Sequence, residues 1–240
     1  MTPAIITLVS THTIDRLPTM NGIQEIPGGP ARYVGEALER LECPFRLITG
    51  ERALVEVLSI DGAEEYRIPP LAPIAMPERL EGEAVILSPI IGEIDPANVP
   101  PIDGLLVVDL QGFVRQPGRP THTPRKEVDL LDLVRRADVV KGSRSEMTAL
   151  DSASRKALDG CILAVTQGAQ GAIIVDHGHE YSVSTEPVDA AHTIGAGDTF
   201  LARFVVGMLD GEATRQAAEQ AVRFATELLR ERQVQRLAGD

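Results

Sequence analysis

Thr193-Ile194-Gly195-Ala196-Gly197-Asp198-Thr199-Phe200 runs without interruption into the apolar Leu201-Ala202-Arg203-Phe204-Val205-Val206-Gly207-Met208. Two glycines bracket an alanine, and an acid stands where a helix opens. Small residues let backbone N–H groups approach a bound anion, and a helix start adds uncapped donors and the positive dipole end. A carboxylate there would repel a phosphate, so Asp198 is not a phosphate ligand. Beside a phosphate it makes sense as a base that takes the proton of an attacking hydroxyl. Read by itself, the stretch equally fits a glycine-rich turn with Asp198 as a helix N-cap.

Three stretches upstream have the same character of polar or glycine residues following an apolar run. Val165-Thr166-Gln167-Gly168-Ala169-Gln170-Gly171 is a glycine-bearing turn between strands. Asp138-Val139-Val140-Lys141-Gly142-Ser143-Arg144-Ser145-Glu146 carries a lysine that either reaches a phosphate or is solvated. Its Glu146 is by default a helix-start acid. Val107-Val108-Asp109-Leu110-Gln111-Gly112-Phe113-Val114-Arg115 sets Asp109, Gln111 and Arg115 beyond a strand end. If the strands are parallel, these stretches meet at one edge of the sheet, where open α/β sheets bind ligands.

Further outward, Ala84-Val85-Ile86-Leu87, Leu105-Leu106-Val107-Val108 and Ile162-Leu163-Ala164-Val165 read as buried parallel strands. Helical stretches over 128–137 and 212–230 alternate with them, the second with Ala217, Ala221, Phe224, Ala225 and Leu228 along one face. That alternation predicts an α/β fold with a doubly wound, mostly parallel sheet, formed by residues 1–240 as a single domain. At the N-terminal end Ala4-Ile5-Ile6-Thr7-Leu8-Val9 is a buried strand that ends in the polar Ser10-Thr11-His12-Thr13-Ile14-Asp15. Asp15 there is a loop acid that either caps a turn or grips substrate hydroxyls. Gly28-Gly29-Pro30 begins a helix through Leu41. Ala53 to Ile60 and Glu65 to Ile68 flank Asp61-Gly62 as a hairpin, expected near the sheet edge. The chain between Asp15 and Gly28 is short.

Composition sets the outer limits. With 43% hydrophobic and 24% charged residues the chain has an ordinary globular makeup. Only 3% of residues are aromatic and Trp is absent, so aliphatic packing must carry the core. A net charge of −12 argues against nucleic acid and anionic membranes as partners. Cys43 and Cys161 read as small core residues, and no His or Cys spacing suggests a metal cluster. Without a leader-like or membrane-length run, the expected location is cytoplasmic.

The run from Thr193 to Phe200 resembles the signature of the ribokinase-like (PfkB) family of sugar and nucleoside kinases. Gly28-Gly29 before a helix, Thr166-x-Gly168-x-x-Gly171 and Ser143-x-x-Glu146 resemble the family's other motifs in the same order. The resemblance implies an ATP-dependent kinase acting on a hydroxyl of a small polyol, sugar or nucleoside. Asp198 would be the base and the amides of Gly195, Ala196 and Gly197 an anion hole. Asp15, Gly28 and Gly29 would hold the acceptor, with Gln111 and Arg115 in the same pocket. Lys141, Ser143, Thr166, Gly168 and Gly171 would line the nucleotide, and Glu146 would organise Mg²⁺. The chain departs from the family in Ser143 where an Asn is usual, in Gly35 and Glu36 near another usual Asn, and in His192 where an Asp is common; the segment between Asp15 and Gly28 is too short for the full lid of strands that many members insert there. Val107-Val108-Asp109-Leu110-Gln111, Arg115 and Lys141-x-Ser143-x-x-Glu146 are similar to the plant-type myo-inositol kinase branch, which makes myo-inositol the first expected acceptor and a nucleoside the second. A homodimer is a candidate assembly. Two rivals stand beside this reading. One is a non-catalytic binding or regulatory module on the same fold; the other is a pyridoxal- or hydroxymethylpyrimidine-type kinase, which the shortage of aromatics disfavours.

Overall fold

The computed structural model describes residues 6–19, 22–60, 63–121, 125–185 and 193–239. The N-terminal half holds β1 (Ile6–Ser10), β2 (Thr13–Thr19), β3 (Gly22–Gly28), α1 (Pro30–Arg40), β4 (Phe45–Ile48), β5 (Ala53–Ile60), β6 (Ala63–Arg67), β7 (Ala84–Ser88) and β8 (Leu105–Asp109). Then follow α2 (Gln111–Val114), α3 (Leu131–Arg136), β9 (Val139–Ser143), α4 (Arg144–Ala149), α5 (Ser152–Ala157) and β10 (Ile162–Thr166). The chain closes with β11 (Ala172–Asp176), β12 (His179–Val183), α6 (Ala196–Leu209) and α7 (Thr214–Gly239).

Eight strands form the main sheet in the order β12-β11-β10-β9-β8-β7-β1-β4. From β4 to β10 every neighbour pair is parallel, and β11 and β12 are antiparallel at one edge. The expected α/β fold with a doubly wound, mostly parallel sheet is what the chain adopts. The alternation of side chains along each strand explains the two cores. Ile6 and Leu8 of β1, with Ala84 and Ile86 of β7, face α1, α6 and α7 through Leu38, Leu201, Phe204 and Ala221. Val9, Val85 and Leu87 face the other way, against Phe113, Leu133 and Leu150. Strands covered on both faces favour apolar residues along their length, which is why β1 and β7 are buried throughout and read as largely apolar runs.

Two expectations about the N-terminal half are corrected. The hairpin of β5 and β6 forms, but not at the edge of the main sheet. It belongs to a second, four-stranded sheet in the order β3-β2-β5-β6. The segment expected to be too short for a lid supplies two of those strands, β2 and β3, paired antiparallel from Thr13↔Gly28 to Thr19↔Gly22. Asp15 is accordingly a strand residue and not a loop acid. Its strand was hard to read because Asp and Pro are poor strand formers, although Thr13, Asp15 and Leu17 are buried at period two. The turn at Asp61-Gly62 lies outside the described residues. The helix expected over 128–137 shortens to α3, with Val128 bridged to Leu150 instead.

Ile86 lies on a central strand and is fully buried within the α1/α6/α7 core. Ile86→Ala removes packed methylenes that this close-packed layer cannot refill. It should lower unfolding stability by about 2–5 kcal/mol, read from the shift of a urea denaturation curve.

Candidate functional site

The pairing register aligns the C-terminal ends of the parallel strands. Ser10 of β1 lies opposite Ser88 of β7, Asp109 of β8 opposite Lys141 of β9, and Ser143 of β9 opposite Thr166 of β10. Three of the four motif-bearing stretches therefore meet along one line, as the parallel arrangement requires. The fourth, Asp15, arrives from the second sheet above it.

α6 begins at this line. Its N-cap is Gly195, in the left-handed region at φ 78°, and no side chain caps the helix. A Cβ at Gly195 would lie 2.4 Å from the Tyr33 ring, so both the conformation and the contact require glycine. Asp198 sits in the first turn, three residues past the cap, and is 9% exposed. The N-cap reading of this acid is thus corrected: the position is taken by Gly195. Gln111 Nε2 lies 3.5 Å from Asp198 Oδ1. Burial pushes the Asp198 carboxyl up to about 6, against the opposing pull of Lys141 and, further down, Arg115 and Arg232. A carboxyl poised there is ionised at neutral pH yet basic enough to accept a proton.

Below Asp198 lies a buried ion pair. Lys141 Nζ donates to both oxygens of Asp109, at 3.1 and 3.0 Å. Asp109 also accepts from Ser88 Oγ at 3.1 Å and lies 3.4 Å from the Gln111 amide nitrogen. Burial pulls the Lys141 ammonium down, but the Asp109, Asp198 and Glu146 carboxylates together hold it above its ordinary value. Lys141 is therefore a charged group of the site's floor, with its head spent on Asp109. A Cβ on Gly197 would meet Lys141 Nζ at 3.3 Å, which brings the ammonium against the turn that carries Asp198.

Two cavities flank the Gly195-Ala196-Gly197 turn. The first, of about 100 Å³, is lined by Asp15, Gly29, Tyr33, Gln111, Arg115, Gly195 and Asp198 among others. It gathers every residue expected to hold an acceptor except Gly28. The role of Gly28 is to make room: a Cβ there would come within 2.1 Å of Asp15 Oδ2. Asp15 is buried and accepts from Thr13 Oγ1 at 2.5 Å. Arg115 donates to the carbonyl of Ile90 at 3.3 Å and lies over the Tyr66 ring. The second cavity, of about 290 Å³, is lined by Thr166, Gly168, Gly171, Ala196, Gly197, Phe200 and the α7 residues Val222, Ala225, Thr226 and Leu229. Gly171, at φ 91°, would drive a Cβ to 2.0 Å from the Val183 carbonyl oxygen, so it is fixed by backbone packing.

Ser143 and Glu146 do something different from lining a cavity. They form a capping box on α4: Ser143 Oγ accepts from the Glu146 amide at 3.3 Å, and Glu146 Oε2 accepts from the Ser143 amide at 2.6 Å. Among the described residues no group of three or more His, Cys, Asp or Glu side chains could hold a metal ion. His192 lies outside the described residues. Sequence reasoning missed Tyr33 of α1 and Arg232 of α7. Both act through contacts between distant segments; the only local hint was a tyrosine in a chain nearly devoid of aromatics.

Residues 114–238 match the pfkB family carbohydrate kinase, and the chain belongs to that family. Its members are phosphotransferases that act on a hydroxyl group. More particularly, the chain is 27% identical over 157 residues to an inositol 3-kinase of Zea mays, an alignment covering 62% of this chain and 40% of the maize protein. A pyrophosphate-dependent kinase in the ribokinase family, complexed with a pyrophosphate analog and myo-inositol, superposes with a TM-score of 0.72 at 20% identity, covering 94% of this chain and 95% of that one. Ribokinase of Arabidopsis thaliana complexed with ribose and ATP gives 0.64 at 16% identity, with 94% and 92% covered. No helix among the described residues is long and apolar enough to cross a membrane.

Lys141→Met removes the cation that most opposes protonation of Asp198. A carboxyl accepts a proton only in its ionised form, so a reaction that relies on Asp198 slows as pH drops through its pKa. The acid limb of a kcat/KM–pH profile, expected near 6 in the wild type, should move to higher pH in the variant.

Proposed function

We propose that this chain transfers a phosphoryl group from ATP to a hydroxyl of a small polyol, with myo-inositol as the first acceptor and a ribonucleoside as the second. The observation that carries this reading is the pair of cavities on either side of one glycine turn, with Asp198 facing the cavity that also holds Asp15. An acceptor in the first cavity has its hydroxyls bound by the Asp15 carboxylate, a geometry suited to vicinal donors. Its reacting hydroxyl gives a proton to Asp198. The hydroxyl oxygen forms a bond to the terminal phosphorus of the donor as the bond from that phosphorus to the bridging oxygen breaks, leaving ADP. The amides at the start of α6 meet the charge on the phosphoryl oxygens where it is greatest.

The second cavity supports a nucleotide donor, since its lining is largely apolar and suits a base, while its floor at Gly197 reaches the phosphates. The pyrophosphate-dependent relative makes inorganic pyrophosphate the alternative donor to test. Mg²⁺ fits the site only as an ion held chiefly by donor phosphates and waters, because Glu146 has one oxygen committed to the Ser143 amide. Glu146 is then an outer carboxylate for that hydrated ion, which would neutralise phosphate charge.

The test is a matrix of acceptors (myo-inositol, ribose, adenosine, pyridoxal) against ATP and pyrophosphate, with the wild type and Asp198→Asn. The variant keeps the size of the side chain but cannot accept a proton at neutral pH. Turnover should fall by about 10²–10⁴-fold with donor affinity retained. Equal turnover in the two proteins would remove Asp198 from the chemistry, and no turnover with any pair would favour a binding module. Asp15→Ala should weaken acceptor binding roughly ten- to a hundred-fold and leave donor binding unchanged, as read by calorimetric titration of each ligand.

A further inference from the structure

Tyr33 stands in the first turn of α1, where its amide closes the helix onto the Gly29 carbonyl at 3.1 Å. Its ring fills the contact with Gly195 that joins α1 to α6. Leu17 and Val57 of the second sheet, with Ile194, pack around it. Two guanidinium groups lie over the ring, that of Arg232 at 4.7 Å and that of Arg32 at 5.7 Å from its centroid. Glu36 pairs with both of these arginines, at 3.1 and 2.5 Å. The ring is therefore fixed by α6, α7 and the second sheet before any ligand arrives.

The hydroxyl at the end of that ring is held by nothing. Tyr33 is 5% exposed and lines the first cavity with Asp15, Gln111, Arg115 and Asp198. Its oxygen makes no hydrogen bond among the described residues, yet it is not sealed from solvent as the unpartnered Thr11 Oγ1 and Thr199 Oγ1 are. What little surface the residue keeps therefore includes this oxygen, beside the cavity it lines. A buried tyrosine ordinarily gives its hydroxyl a partner, so one left open at a cavity is built to find that partner in a ligand. Burial first, and then the Asp15 carboxylate, push the phenol up to about 12, so it keeps its proton. The ionised acids of the cavity can only accept hydrogen bonds, whereas a phenol donates one. A ring of hydroxyls brings donors for both acids, and its oxygens keep lone pairs that need a donor from the protein.

We propose that Tyr33 is a specificity-determining residue of the first cavity, its O–H donating to an oxygen of a neutral ring polyol whose other hydroxyls donate to Asp15 and Asp198. The contact selects an acceptor with one hydroxyl for each acid and a third for the phenol. An acceptor without the third leaves the phenol unpaired, and that lost partner is what discriminates against it. The arginines on the ring face and Gly195 keep the hydroxyl at one place, so the preference is for a position on the acceptor ring and not for hydroxyls in general. This assignment rests on the phosphoryl-transfer reading of the site and goes on from it to name the acceptor class.

The test compares the full-length wild type with Tyr33→Phe, which keeps the ring against Gly195 and removes only the oxygen. Turnover is measured with myo-inositol and with each inositol lacking a single hydroxyl, using ATP and pyrophosphate as donors. Donor binding is followed by calorimetry and folding by thermal melting. Tyr33→Phe should raise the KM for myo-inositol about three- to tenfold. The loss should be read in KM and not in kcat or donor affinity, because the contact is made equally before and during the reaction. In the wild type, the deoxy compound that lacks the contacted hydroxyl should show a similar rise. With that compound alone, Tyr33→Phe should add nothing further. If Tyr33 is only a wall, wild type and variant will share one KM for myo-inositol, and the proposal is overturned. It is equally overturned if the variant loses melting temperature and turns over every acceptor more slowly by the same factor. A wild type that phosphorylates adenosine and not myo-inositol defeats this proposal alone; a wild type with no turnover on any acceptor defeats the kinase reading with it.

Discussion

The contact between Gly195 and the ring of Tyr33 is the constraint on which the site depends. A left-handed residue starts α6, and the absence of a Cβ lets α1 lie against that start. The consequence is threefold. The first amides of α6 are left without a side-chain cap, available to an anion. Asp198 is carried into the first turn and buried beside the first cavity. Tyr33 becomes a wall, with burial pushing its phenol up to about 12 so that it stays neutral between Asp15 and Asp198. Any side chain at position 195 would meet the Tyr33 ring and push α1 away from the start of α6.

Beneath this contact the electrostatics are arranged for function more than for stability. Asp109 and Lys141 are 0% and 5% exposed, and a buried ion pair gains little over an apolar pair of the same shape. What the pair does is place a fixed cation under the α6 turn without letting it swing into the cavity. Lys141 holds Asp198 toward its ionised form, while burial alone would leave that carboxyl protonated over a wider range of pH. Asp109 in turn occupies the ammonium through both of its oxygens. Gln111, next to Asp109 in the chain, completes the set by reaching Asp198 from the β8 end.

The parts of this arrangement that were legible in the sequence are those written in consecutive residues. The central strands of the main sheet declare themselves because burial on both faces favours apolar residues along their length. The α6 turn is legible because an anion-binding helix start needs small residues followed by its acid within a few positions. Tyr33 and Arg232 were not legible, since a helical Tyr reads as core and an Arg near a C-terminus as solvated. Their roles come from the packing of α1 against α6 and of α7 along both. The second sheet escaped for a different reason: β2 and β3 place Asp15, Pro18 and Pro27 in strands, where propensity argues against them and only pairing supports them. Lys141 and Ser143 were legible as chemistry-bearing residues, but their partners, Asp109 and the α4 amide, decide what that chemistry is.

Asp15 and Asp198 come from separate layers, one from the second sheet and the other from a helix on the main sheet. Asp15 belongs to β2, hydrogen-bonded to β3 and β5, while Asp198 rides on a helix packed against the main sheet. Gly28 of β3 gives Asp15 its space, and Gly29, at φ 86°, turns the chain into α1. One turn along that helix is Tyr33, which packs with Leu17 and Val57 of the second sheet and with Ile194 beside the α6 turn. The two acids are therefore set at a fixed separation by a continuous path from β3 through α1 to Gly195. In the reaction proposed above, a ligand that spans that separation presents one hydroxyl to Asp198 while the others reach Asp15, which a compact ring of hydroxyls does and a single alcohol does not.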